Sequence, residues 1–103
     1  MPTPDGTVPF HVSIAIDVAD IPDDIRAEVL EDERAKGREM RRLGHLERIW
    51  RVPGNGSSVS VWHARDRAHL TILLDALPIA PWTRFDVFEL APHPLESETI
   101  DAD

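Results

Sequence analysis

Val8 to Gly44 reads VPFHVSIAIDVADIPDDIRAEVLEDERAKGREMRRLG, and its hydrophobic period changes partway along. In the first part Val8, Phe10, Val12, Ile14, Ile16 and Val18 alternate with Pro9, His11, Ser13, Ala15, Asp17 and Ala19. A period of two predicts a β-strand with one apolar face. Its other face is small or amphipathic at His11, Ser13 and Ala15, which suits a covered surface or a cavity wall. Ile21-Pro22-Asp23-Asp24 then punctuates the chain. Pro22 suits the first turn of a helix, and Asp23 and Asp24 suit its positive end. From Pro22 to Leu43 the period becomes 3.6, with Ile25, Val29, Met40 and Leu43 on one stripe. Glu33 falls near the centre of that stripe, and Gly37, one turn on, leaves a gap beside it. A helix that points a carboxylate at its own core contradicts its pattern, and such contradictions collect at functional sites. The competing explanation is a Glu that snorkels or pairs with a buried Arg. Gly44 suits the C′ position that ends the helix.

Downstream, His45 to Val52 predicts a second strand, with Leu46, Trp50 and Val52 on one face and His45, Glu47, Ile49 and Arg51 on the other. Pro53-Gly54-Asn55-Gly56 is a hairpin signal. Ser57 to His63 predicts a third strand, in which Val59 and Val61 alternate with Ser58, Ser60 and Trp62. Asp66 suits the N-cap of a second helix whose apolar face is Leu70, Leu73, Leu74 and Leu77. Pro78 and Pro81 forbid its continuation. Arg84 to Leu90 predicts a fourth strand, with Phe85 and Val87 opposed to Phe88 and Leu90.

Strand, helix, strand, strand, helix, strand is the order of an α+β, ferredoxin-like βαββαβ domain with a four-stranded antiparallel sheet. Two helices cover one face of such a sheet. Apolar side chains on the other face are then left bare, which is rare in a monomer. A second copy, sheet against sheet, would close a dimeric α+β barrel, so at least a homodimer is expected. The domain is placed at residues 8–91, after a polar N-terminal extension, 1–7, and before an acidic C-terminal tail or arm, 92–103.

A chain of 103 residues supports one core. Its formal net charge of −8 argues against nucleic acid and against an anionic membrane surface. No apolar run approaches the roughly 18 residues of a membrane helix. Cysteine is absent, which removes disulfides and thiolate chemistry. With no apolar leader at the start, a cytoplasmic protein is expected.

Among chemistries, a metal site built on His63, His69 and His93 lacks ligand spacing. No Gly-x-Ser-x-Gly elbow supports a serine nucleophile. Haem would need a histidine facing a large cavity, and nothing singles one out. The glycines near Asn55 join two strands rather than opening a helix, so a phosphate loop does not fit. Acid–base work by a shielded carboxylate remains. Burial raises a carboxylate pKa toward neutrality, which makes Glu33 a candidate base or acid. His11 is either a second proton carrier or an ordinary half-buried histidine. Of Arg48 and Arg51, on opposite strand faces, one can bind an anionic substrate group, or both can pair at the surface.

Phe10-His11-Val12, Asp32-Glu33, Gly44, Ile49-Trp50-Arg51-Val52 before Gly54, Leu77-Pro78-x-x-Pro81 and His93-Pro94 together resemble the muconolactone delta-isomerase family, in the same order from about Phe10 to Ser97. The resemblance implies a ferredoxin-like fold, dimers assembled into a homodecamer, and no metal or organic cofactor. It also implies an isomerase of aromatic catabolism, in the β-ketoadipate pathway. The expected reaction moves the ring double bond of muconolactone, or of a related lactone or cyclic acid, to give 3-oxoadipate enol-lactone. By the same resemblance Glu33 is the catalytic base, His11 assists proton transfer or positions substrate, and Arg51 recognises a carboxylate. The chain departs from the family at Leu30, where the family has Lys, and at Asn55, Gly56, Ser57 and Ser58, where it has His-Tyr-x-Asn. Ser58 can replace one lost hydrogen bond and Trp62 or Trp82 some lost bulk, so Ser58 and Trp62 join the substrate-binding candidates. The alternatives are a non-catalytic ligand-binding or assembly protein of the same barrel fold, and a cofactor-free monooxygenase or cyclase.

Overall fold

The computed structural model describes residues 4–54 and 56–97. Within them the order is β1 (Val8–Ile16), α1 (Arg26–Arg42), β2 (Leu46–Val52), β3 (Ser57–Ala64), α2 (Arg67–Asp75) and β4 (Thr83–Glu89). The strands form one antiparallel sheet in the order β2-β3-β1-β4. This is the ferredoxin-like arrangement expected from the period changes. Short 3-10 turns at Val18–Asp20 and Ala80–Trp82 lie in the connections, and a third, Pro94–Ser97, follows β4. Residues 1–3 of the expected extension, Asn55 of the hairpin, and residues 98–103 of the expected tail lie outside the described residues.

Register decides what faces what. Phe10, Val12 and Ile14 of β1 pair with Trp62, Ser60 and Ser58 of β3, and Val12 and Ile14 also pair with Val87 and Phe85 of β4. Paired residues share a face. This face is under the helices, where Phe10, Val12, Ile14, Trp62 and Ala64 join Met40, Leu46, Leu70, Leu74, Leu77 and Ile79 in the core. On β3 Ser58, Ser60 and Trp62 therefore point inward, and Val59 and Val61 point to the uncovered face. Ser60 is accommodated because its hydroxyl donates to Val12 O at 2.8 Å and accepts from Trp62 Nε1 at 3.0 Å.

β2 departs from simple alternation. Leu46 pairs with Trp62, but Arg48 pairs with Val61, so one extra residue enters at Glu47. The resulting β-bulge reverses the faces beyond it. Leu46 is buried under the helices, whereas Trp50 and Val52, expected beside it, turn to the uncovered face. Ile49 and Arg51 take the helix-covered side instead, opposite Ser60 and Ser58. Glu47 Oε1 itself accepts from His63 Nε2 at 2.6 Å.

α1 begins four residues later than its pattern suggested. Its N-cap, Ile25, offers no side-chain hydrogen bond. Arg26 anchors this end, donating to Val18 O at 2.9 Å, Ile21 O at 2.8 Å and Asp23 Oδ1 at 2.6 Å. At the other end Gly44 N–H donates to Arg41 O at 3.0 Å and His45 N–H to Met40 O at 2.9 Å. These two bonds form a Schellman motif, and Gly44 has the positive φ, 84°, that it requires. Gly44→Ala is expected to cost about 1–2 kcal/mol, because an L side chain is strained in that region. Chemical denaturation should show a lower midpoint with an unchanged m-value. α2 is capped as its sequence indicated, with Asp66 Oδ1 accepting from His69 N at 2.8 Å.

Candidate active site

Glu33 sits where α1 passes over the sheet, on the stripe that also carries Val29, Leu30 and Met40, all packed in or against the core. It is half-buried. The expected alternative, a pairing with Arg, does not occur: Glu33 forms no ion pair among the described residues. Its Oε1 instead accepts from the backbone N–H of Ile79 at 3.2 Å. Ile79 is held in turn, since its carbonyl accepts from Thr83 Oγ1 at 2.7 Å and from Trp82 N at 3.0 Å. The Leu77-Pro78-Ile79-Ala80-Pro81 turn thus aims a rigid donor at one carboxylate oxygen.

Among the described residues Oε2 makes no hydrogen bond, and no buried side-chain oxygen lacks a partner. Oε2 is therefore accessible to solvent or to a ligand. Desolvation by burial raises the Glu33 pKa above its ordinary value of 4.5, and the Ile79 hydrogen bond opposes this in part. A carboxylate with one oxygen fixed, one free and no cation beside it is poised to exchange a proton. The Ile79 bond survives protonation at Oε2, because a carboxylic acid's carbonyl oxygen still accepts.

Arg51 and Ser58 are register partners on the same helix-covered face. Arg51 is exposed and Ser58 half-buried, so both remain available to a ligand entering between α1 and the sheet. His11 is placed elsewhere. It pairs with Val61 and Phe88 on the uncovered face, its ring 6.1 Å from that of Phe88. Within one chain the sheet separates it from Glu33. Trp62, expected to add bulk to a ligand wall, is instead a core side chain, 1% exposed and with its only donor used on Ser60. The Ile79 donor escaped notice because it comes from 46 positions away and leaves no local pattern. No group of three or more metal-binding side chains forms among the described residues. No helix among them is long and apolar enough to cross a membrane.

Fold and site together define a ferredoxin-like α+β domain with a half-buried, unpaired carboxylate under its first helix. The family model for muconolactone delta-isomerase matches residues 8–96. The chain belongs to the muconolactone delta-isomerase family. It is similar to the muconolactone delta-isomerase of Acinetobacter baylyi, 30% identical over 72% of this chain and 77% of that one. The Rhodococcus opacus enzyme of the same name is 28% identical over 82% of this chain and 91% of that one. A crystal structure of muconolactone isomerase superposes with a TM-score of 0.76 at 24% identity, covering 88% of this chain and 96% of that one, which supports the fold.

Proposed function

We propose that this chain is an isomerase that moves the ring double bond of muconolactone, or of a closely related unsaturated lactone acid, to give 3-oxoadipate enol-lactone within cytoplasmic aromatic catabolism. The observation that carries this reading is the half-buried Glu33, with Oε1 held by Ile79 and Oε2 free. In the forward step the Glu33 carboxylate takes a ring proton and becomes a carboxylic acid. The electron pair left behind delocalises to the lactone carbonyl oxygen as a dienolate. Glu33 then returns the proton at a different ring carbon, which shifts the double bond and regenerates the carboxylate. A raised pKa serves both halves, making the carboxylate a stronger base and keeping the acid form available.

Arg51 is assigned to the substrate carboxylate, which a guanidinium can grip in two places. Ser58, its register partner, contributes a hydroxyl to the same ligand. The proton route needs no second carrier within the chain, and His11 goes with the uncovered sheet face. There Trp50 is 50% exposed and Phe88 60% exposed, beside the half-buried Val59 and Val61. This surface supports a homodimer at least, closed sheet against sheet and able to assemble further into a decamer.

Purified protein without added cofactor should consume muconolactone, followed optically. Absence of turnover at high enzyme concentration would overturn this assignment of substrate.

A further inference from the structure

We propose that Gly37 forms the backbone floor of the ligand subsite, where the ring of a small lactone acid lies against α1 with Ile49 on its other side; this rests on the function proposed above. Gly37 is four residues after Glu33, and so one turn along the same side of the helix. On the helical projection it falls between Met40, which is 3% exposed, and the half-buried Leu30. A position inside that stripe normally meets core atoms. Yet a Cβ added at Gly37 would have nothing within 4 Å beyond its own helix's backbone and chain neighbours. Neither close packing nor a positive φ explains the glycine. Glycine inside a helix is also less favourable than alanine, so the chain carries a helix cost with no packing return.

Ile49 supplies an independent observation. The bulge at Glu47 turns it to the helix-covered face, and α1 packs against β2. Ile49 nonetheless remains 44% exposed. The layer between α1 and the sheet edge is therefore open where it would otherwise close. Facing this layer are the proton-transfer group, Glu33, from the helix, and from the strand an apolar side chain, Ile49, with a cation two residues further along the same face, Arg51. That combination matches a flat, mostly apolar ring bearing one carboxylate. The absent side chain at Gly37 lets such a ring approach the helix backbone, one turn from the base.

Gly37→Ala separates this role from a structural one. The variant is expected to melt about 4–8 °C higher, because alanine favours the helix and has room. Its KM for muconolactone is expected to rise about tenfold, with kcat changed less, as expected for lost binding rather than lost chemistry. A higher melting temperature with unchanged KM would overturn the subsite while leaving the isomerase reading intact. The saturated lactone acid, which lacks the ring double bond, gives a readout without turnover. It should raise the melting temperature of the wild type and not that of Gly37→Ala. If the wild type binds this probe in that manner but does not isomerise muconolactone, the subsite stands and the substrate assignment falls. If it does neither, both fall.

Discussion

Glu33→Gln is expected to lower turnover about 10²-fold or more while the melting temperature holds or rises. Glutamine keeps the shape and an oxygen for the Ile79 N–H, but it cannot accept a proton from carbon. The stability side follows from the raised pKa. Burial makes the folded chain hold the Glu33 proton more tightly than the unfolded chain, whose carboxyl titrates near 4.5. Between that value and the higher folded pKa, the folded state binds more protons than the unfolded state. Stability therefore falls as pH rises through this window, and the loss persists above it. Glutamine does not titrate, so the variant escapes the loss at neutral pH. Loss of activity with retained or improved stability is the signature of a group kept for chemistry. The same shift places the acidic limb of the wild-type kcat/KM profile above pH 4.5, with activity falling as pH drops through the folded pKa of Glu33. Steady-state kinetics and thermal melts of both proteins across pH test these expectations. An unchanged rate would remove Glu33 from the mechanism, and a matched fall in rate and stability would make it structural.

Much of the architecture was legible because period and punctuation agree. β1 alternates strictly, Gly44 ends α1 with the φ it alone tolerates well, and Asp66 caps α2. Glu33 stood out as a break in a stripe. What escaped was set by contacts between distant segments. The bulge at Glu47 depends on how β2 registers against β3, and it moved Trp50 out and Ile49 and Arg51 in. Inward serines on β3 run against hydrophobic preference, and they are tolerated because Ser60 is bonded to both Val12 and Trp62. The start of α1 is set by Arg26 reaching the carbonyls of Val18 and Ile21, which composition does not disclose. His11 is different: its separation from Glu33 is implied by the alternation of β1 itself, since helices must cover the face carrying Phe10 and Val12.

Trp62→Ala is expected to cost about 3–5 kcal/mol of folding stability. Trp62 is among the largest side chains removed from water, at 1% exposure, and it lies beside Phe10 across the β1–β3 pairing. The loss is large against the roughly 5–15 kcal/mol that stabilises a domain of this kind. It combines lost burial with a cavity that the sheet backbone cannot collapse to fill. The hydrogen bond adds little to that total, because Ser60 Oγ still donates to Val12 O when the indole is gone. No buried donor is stranded by the change. Trp62→Phe distinguishes a core residue from a ligand wall. It keeps most of the volume and should lower the denaturation midpoint by a smaller amount, while KM for muconolactone stays within about twofold of wild type, since a side chain this buried presents almost no surface to a ligand. A raised KM in a Trp62→Phe protein of near-native stability would return Trp62 to the binding site. It would also require the core to open toward Ser58 when substrate enters. The geometry opposes that opening: the indole N–H donates to Ser60 Oγ inside the sheet, and exposing Trp62 would break that bond and uncover the core around Phe10.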